Sequence, residues 1–279
     1  MNKKIFLVIL FSIFCLEGSV FSLSAKEKKK NIIKVSKRLK TKEAKYEAAK
    51  TYYANGSYVS AAQLFEEIYP LYLSAPEGDT ILYLFADSYM KNGDYLMASL
   101  HFNDYIRRYP QSDRVEEASF NAAKAYYLNS PAYNLDQSDS KAAIEHLQVF
   151  INAYPQSQHV ATSNAMIDTL RNKLARKDFS VARMYYNIES YQAAQVCLQN
   201  LLQEYPTSSY TEEVLFYLVK NSYAYAQHSV ETKKVERYQK VIDSANQLKA
   251  YNPSSKYLIE AEKLAVEAKK KRDKILNNN

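Results

Sequence analysis

The sequence predicts an all-α protein: a superhelical solenoid of about five helical hairpins closed by a C-terminal capping helix. Three observations predict it. Glycine is scarce, with 4 in 279 residues, while 47% of residues are hydrophobic and 24% charged, a balance that suits packed helices joined by short turns. A Tyr-Pro-x-Ser phrase recurs, as RRYPQSDRVEEA, NAYPQSQHVATS, QEYPTSSYTEEV and the frayed KAYNPSSKYLIEA, with its prolines at 110, 155, 206 and 253. Ahead of the phrases lies a second pattern, in YYANGSYVSAAQLFEEI, SYMKNGDYLMASLHFNDYI and YYNIESYQAAQVCLQNLL.

Each phrase reads as a helix stop and a helix start. An apolar-periodic helix runs to Tyr, Pro ends it, and Ser or Thr stands where an N-cap oxygen is expected. Pro70, in EEIYPLYL, reads as a kink, with the break itself at Pro76-Glu77-Gly78-Asp79. The second pattern reads as the hairpin's inner turn. Ala61, Ala98 and Ala194 let two helices approach closely, and Phe65, Phe102 and Leu198 fill the interface one turn on. Such a hairpin cannot bury its apolar faces alone and must stack on neighbours. The copies fall at about 42–76, 80–110, 114–155, 177–206 and 211–253. Residues 255–276 form a closing amphipathic helix, with Leu258, Ala261, Leu264 and Ala265 inward and Lys269–Lys271 toward solvent.

One hairpin is longer than the rest. Tyr53 to Ala61, Met90 to Ala98 and Tyr186 to Ala194 are equal spans, whereas Tyr127 to Ala143 is eight residues longer. In this insertion Ser130-Pro131 ends the first helix, and Asp136, Ser138 and Asp139 offer cap oxygens to the second.

The formal charge of +7 is localised. Residues 26–40, KEKKKNIIKVSKRLK, hold eight cations and one Glu, and the chain beyond is near neutral. The pI near 9.0 therefore does not point to nucleic acid; the stretch reads as a basic linker, or as a segment resting on anionic headgroups. Residues 1–25 read as an export signal, Lys3 and Lys4 preceding an apolar run too short to span a bilayer. Three endings fit the residues: cleavage near Ser22–Ala25, lipidation of Cys15, or retention as an anchor. Cys197 lies among Val196, Leu198 and Leu201 and reads as a small buried hydrophobe. His101, His146, His159 and His228 lack metal-ligand spacing, and no glycine-rich phosphate loop exists. The expectation is no catalytic residues, no metal and no cofactor.

The small, aromatic and proline positions resemble the tetratricopeptide repeat over about residues 41–253. The insertion with its flanks, AYYLNSPAYNLDQSDSKAAIEHLQVFINAYPQS, and DFSVARMYY followed by LLQEYPTSSYTEE, resemble the BamD family, tetratricopeptide-repeat lipoproteins of the outer-membrane β-barrel assembly machinery. That resemblance implies an exported, non-enzymatic adaptor at the periplasmic face of the outer membrane, against its inner leaflet, with no nucleic-acid partner. It implies that repeats 4–5 and the capping helix (156–279) bind the POTRA domains of a BamA-like insertase. It also implies that repeats 1–3 (41–155) receive unfolded outer-membrane proteins. Phe14 before Cys15 departs from the family's small residue there. A periplasmic peptide binder, or an envelope scaffold of the Tol–Pal-associated type, is the alternative role.

The tetratricopeptide resemblance implies a substrate-peptide groove lined by the first helices, which the family pattern maps to Tyr46, Lys50 and Tyr53; Tyr83, Asp87 and Met90; and Phe120, Lys124 and Tyr127. Aromatic and Met side chains suit an extended peptide, and Lys50 or Lys124 would neutralise a carboxylate; packing of these rings against the next hairpin is the competing reading. Leu135, Asp136 and Gln137 form the inserted loop, either docking a partner or serving the fold, with Asp136 as cap and Leu135 plugging the repeat edge.

Overall fold

The computed structural model describes residues 36–277. The signal, the Cys15 ambiguity and most of the basic linker lie outside the described residues. The rest is helical, without a strand among the described residues. The first hairpin is α1 (Lys42–Ala54) and α2 (Tyr58–Ile68), followed by a 3₁₀ turn, Tyr69–Tyr72. The second is α3 (Glu77–Asn92) and α4 (Tyr95–Arg108), and the third α5 (Val115–Asn129) and α6 (Ser138–Ala153). The fourth pairs α7 (Val160–Asn187) with α8 (Tyr191–Glu204), the fifth α9 (Thr211–Gln227) with α10 (Glu231–Tyr251), and α11 (Leu258–Asn277) closes the chain.

The helices divide between two compact units. One holds the chain to Asn129 together with Val149–Ser157; the other holds Ser130–Gln148 and everything from Gln158. In the first unit Leu64, Phe65, Ile68, Ile81, Leu82, Phe102 and Tyr105 are wholly buried, each large apolar side chain contributing about 1.5–3 kcal/mol through burial. In the second, Leu198, Leu201, Val214, Leu215, Leu218, Val219, Val241 and Leu248 do the same. Ala61, Ala98, Ala143 and Ala194 are all fully buried, as close helix approach requires.

The proline joints work differently from expectation. In each, the Ser backbone N–H donates to the preceding Tyr or Asn carbonyl: Ser112 to Tyr109 (3.0 Å), Ser157 to Tyr154 (3.0 Å), Ser208 to Tyr205 (3.1 Å) and Ser255 to Asn252 (3.1 Å). The Ser carbonyl then accepts from the third residue on, from Val115, Thr211 and Leu258. The backbone thus makes the turn, and the next helix starts without a side-chain cap at His159 and Tyr210. At two joints the Ser hydroxyl accepts from the amide two residues on, Ser112 from Arg114 (3.3 Å) and Ser255 from Tyr257 (3.2 Å), and also ties the joint to an earlier helix. Ser112 bonds Tyr105 Oη at 2.7 Å, which donates to Asp79 at 2.8 Å; Ser255 donates to Glu212 at 2.5 Å. Burial, with the Asp79 bond, pushes the Tyr105 phenol up to about 12.

Two boundaries and one side chain differ from the sequence reading. Pro70 sits in the 3₁₀ turn after α2 has ended, rather than kinking a continuing helix. α7 begins at Val160 instead of near 177, because Ser163, Ile167, Leu170, Leu174, Phe179 and Ala182 are a continuous buried stripe with no Pro or Gly to break it. In α11 Lys271 is not simply solvated: its Nζ donates to Tyr223 Oη at 2.9 Å.

Inner turns need one left-handed residue. Gly56 (φ +73°) and Gly93 (φ +84°) supply it two residues before Tyr58 and Tyr95. At the α7–α8 turn the same place, two before Tyr191, is Glu189 at φ +60°, where a Cβ costs about 1 kcal/mol. Glu189→Gly is therefore expected to raise unfolding free energy by up to about 1 kcal/mol, read as a shift in urea midpoint at constant slope; an unchanged or lower midpoint would refute the strain.

His101 on α4 is held between Phe85 (ring centroids 4.2 Å apart) and Tyr89 (5.3 Å, stacked). Burial lowers its pKa below the usual 6.5, against the pull of Asp104, Glu66 and Asp94. The unfolded chain then binds a proton the folded chain resists, so this contribution is complete above about pH 6.5 and is lost as pH falls through the depressed folded value. Wild-type stability is expected to drop more between pH 7.5 and 5 than that of His101→Gln, measured by denaturant titration at each pH.

Candidate peptide-binding faces

The first helices α1, α3 and α5 all belong to the first unit, and their i, i+4, i+7 positions share one face of each helix. The structure joins α1 to α3 through a polar cluster. Tyr53 Oη donates to the Asp87 carboxylate and accepts from Lys91 Nζ, and Lys91 also pairs with Asp87 at 3.0 Å. Lys91 Nζ lies 4.5 Å from the Tyr53 ring centroid. Burial, then the bond to Asp87, raises the Tyr53 phenol pKa. Burial opposes the charge on Lys91, but its bonds to Tyr53 and Asp87 outweigh that and hold it protonated. Asp87, only 15% exposed, is thus fully engaged within the fold.

The other predicted positions separate into two kinds. Tyr46 is half-buried, 5.9 Å from Tyr72, with Lys50 Nζ 4.7 Å over its ring. Lys50 already pairs with Glu47 at 2.7 Å, so it is not a free counter-charge. Met90 packs partly against the core. Lys124 lies 6.0 Å over Phe120, and Tyr127 is half-buried. Tyr83 and Phe120, by contrast, are 9% and 6% exposed and belong to the interior. Tyr83 packs edge-on against Phe102 and Tyr105, and its Oη accepts from Asn121 Nδ2 at 3.3 Å. Their burial does not fit the expectation that both line a groove: Phe102 and Tyr105, on the second helix of its own hairpin, cover Tyr83, and Phe150 packs against Phe120. A recess of about 570 Å³ in this unit lies elsewhere, between Tyr58, Val59, Ala62 and Gln63 of α2 and Tyr89 and Asn92 of α3.

Gln137 organises the inserted loop. It is 4% exposed. Its Nε2 donates to the carbonyls of Ala132 (2.7 Å) and Leu135 (3.1 Å), and its Oε1 accepts from Ser140 Oγ at 2.8 Å. Asp136 Oδ1 accepts from the Ser138 N–H at 2.9 Å, and bonding to Ser138 lowers the Asp136 pKa. The middle of α7 clamps the loop from outside. Lys173 Nζ donates to Ser130 Oγ (2.6 Å), Lys177 Nζ donates to the Leu135 carbonyl (2.7 Å), and Arg176 lies 3.9 Å over the Tyr133 ring. Leu135 does not plug the repeat edge: it is 55% exposed, and it serves the loop through its backbone, the N–H donating to the Ala132 carbonyl at 3.1 Å and the carbonyl accepting from Gln137 and Lys177.

The sequence reading missed a second face of this kind. In the second unit, Phe179, Arg183 and Tyr186 on α7 and Phe216, Lys220 and Tyr223 on α9 repeat the aromatic–cation–aromatic register of Tyr46, Lys50 and Tyr53. Arg183 lies over Phe179 (5.8 Å) and Tyr217 (5.5 Å), and Lys220 over Tyr217 (5.3 Å), Phe216 (5.5 Å) and Tyr186 (5.8 Å). The i, i+4, i+7 pattern was available to find it. Cys197 nearby is half-buried, and burial raises its thiol pKa. Among the described residues no group of His, Cys, Asp or Glu is arranged to hold a metal ion.

A family model described as YfiO, outer membrane lipoprotein, matches residues 38–239. The chain belongs to this family. Similar curated proteins carry the name outer membrane protein assembly factor BamD. The one from Caulobacter vibrioides is 26% identical over 132 residues, 47% of this chain and 43% of its own length. The one from Pasteurella multocida is 23% identical over 181 residues, 61% of this chain and 69% of its own. The match thus spans less than half of the Caulobacter relative. Among solved structures, the TPR2AB-domain:pHSP90 complex of yeast Sti1 aligns over 85% of this chain and 87% of its own, at 14% identity and TM-score 0.42. No helix among the described residues is long and apolar enough to cross a membrane.

Gln137→Ala takes one donor from each of the Ala132 and Leu135 carbonyls, which keep the Leu135 N–H and Lys177 Nζ respectively, and leaves the buried Ser140 hydroxyl without its acceptor. The expected cost is about 1–3 kcal/mol, with faster amide hydrogen exchange confined to the insertion. Unchanged exchange there would show that Lys173 and Lys177 alone hold the loop.

Proposed function

We propose that this chain is a non-enzymatic adaptor in the assembly of outer-membrane β-barrel proteins, acting at the periplasmic face of the outer membrane. The observation that carries the reading is the match of the outer-membrane lipoprotein family over residues 38–239, with relatives named as assembly factors. In this reading the two units divide the labour. The first unit receives extended segments of unfolded barrel proteins along α1, α3 and α5, against Tyr46, Tyr53 and Tyr127. The second engages the POTRA domains of the barrel-forming insertase.

The chemistry of the first face supports a peptide rather than a small molecule. Its aromatic side chains are half-buried, so each offers a ring edge without a deep pocket, and the Tyr53–Asp87–Lys91 cluster fixes one rim. An extended strand, with side chains alternating at a period of two, matches such a row of shallow contacts. Hairpin stacking supplies rigidity, so little ordering of the receptor is required on binding.

The test has two arms. Native protein drawn from envelopes in mild detergent is expected to bring a POTRA-bearing barrel protein in stoichiometric amount, identified by mass spectrometry, which also reads the N-terminal mass. Tyr53→Ala with Tyr127→Ala is expected to weaken binding of unfolded barrel-protein peptides about tenfold, from the loss of two aromatic contacts, with helicity retained. Recovery of the protein alone, with peptide affinity unaltered in the variant, would sink the reading and favour an unanchored peptide binder.

A further inference from the structure

We propose that the second unit carries its own recognition site for an acidic, aromatic-bearing extended segment of a partner protein, built by Arg183, Lys220 and Tyr217. This goes beyond the adaptor reading and stands whatever the partner is.

Ion pairing carries the inference. On the first unit's face two of the three cations are paired, Lys50 with Glu47 and Lys91 with Asp87, and the third, Lys124, lies over the buried Phe120 ring. On the second unit's face the register repeats, but neither Arg183 nor Lys220 takes part in an ion pair among the described residues. Glu213, one turn before Tyr217 on α9, pairs with neither. The two cations reach the same Tyr217 ring from different helices, at 5.5 and 5.3 Å from its centroid. They are therefore no more than about 11 Å apart, and an anion at this ring feels both.

The rings hold the cations in place. Tyr217 stands edge-on to Phe179 (5.2 Å, 88°) and to Tyr186 (5.8 Å, 81°). Lys220 is half-buried over three rings, so its ammonium is positioned rather than sweeping through solvent. A site for a lipid surface would instead present long, fully solvated basic side chains. A carboxylate side chain laid between Arg183 and Lys220 would complete the charge balance. In an extended strand the next side chain but one returns to the same face, where an aromatic residue would meet the edges of Tyr186 and Tyr217. The partner is thus a segment with Asp or Glu and aromatic residues close in sequence, its carboxylate coming from a side chain.

The probe is a fluorescent, end-blocked peptide bearing Glu and Phe at every second position, with a Gln-for-Glu counterpart, titrated against full-length protein by anisotropy. The Glu peptide is expected to bind more tightly, with the advantage falling as salt rises. Arg183→Gln with Lys220→Gln is expected to weaken the Glu peptide roughly fivefold, as two exposed pairs would, and to leave the Gln peptide unchanged. Arg183→Gln alone, at an exposed side chain, keeps the test valid if the double variant is unstable, and is expected to give part of the same loss. Equal affinity for the two peptides, or a Glu-peptide affinity untouched by either variant, overturns the proposal. So does a Gln peptide with a free carboxyl terminus that matches the blocked Glu peptide, which would assign the site to chain ends. Binding to phosphatidylglycerol vesicles that depends on Arg183 and Lys220, while peptide binding does not, would assign the face to lipid.

Discussion

Three hairpins in this chain close on an alanine with no exposed surface. Ala61, Ala98 and Ala194 each sit between two packed antiparallel helices, and larger side chains fill the space one turn away: Phe65, Phe102 and Leu198, all fully buried. Small against large is what lets ridges of one helix enter grooves of the next. With the hairpin closed, its outer apolar stripe is left uncovered, so it must stack on another hairpin. Every other feature follows from that demand, including the number of repeats, the proline joints between them and the rings that end up half-covered.

The joints answer a second demand. Two helices meeting at a sharp turn leave several backbone groups without helical partners. The Tyr-Pro-x-Ser sequence resolves this with two consecutive backbone turns, and at two joints the serine hydroxyl serves both a local amide and a longer-range partner. Ser112 reaches Tyr105, which reaches Asp79; Ser255 reaches Glu212. The observed use links the joint to the first helix of its own or the preceding hairpin, so the turn also reports whether stacking is correct.

The joints at Pro110, Pro155, Pro206 and Pro253 were legible because proline and the Tyr/Ser pattern act locally. The closing alanines were legible for the same reason. What failed was whatever the neighbouring elements decide. Tyr83 and Phe120 carry the same helical register as Tyr46 and Tyr53, and nothing in their own helices says that they are covered. Leu135 looked like a plug because it is apolar, yet the loop is centred on buried Gln137, a residue whose polarity argued against burial. The start of α7 was misplaced because repeat length was carried over from the other hairpins, when the apolar spacing from Ser163 to Ala182 runs on without a break. Glu189 hid its turn by standing where Gly56 and Gly93 announce theirs.

Repeat register also says less about binding than it promises. The aromatic–cation–aromatic pattern occurs in α1, α5, α7 and α9, and a reading by pattern alone would make these faces equivalent. Their charges are not equivalent. In α1 the cation is met one turn earlier by Glu47 on its own helix; the matching residue of α7, three before Arg183, is Ser180, and of α9, three before Lys220, is Tyr217. A single acidic residue at i−3 therefore separates a cation that is internally neutralised from one that is available to a partner. Exposed pairs of this sort contribute little to stability, about 0–1 kcal/mol, so a sequence can gain or lose them without disturbing the fold. The helix packing fixes where ligands can lie, and the inexpensive surface charges fix which sign of ligand each face accepts.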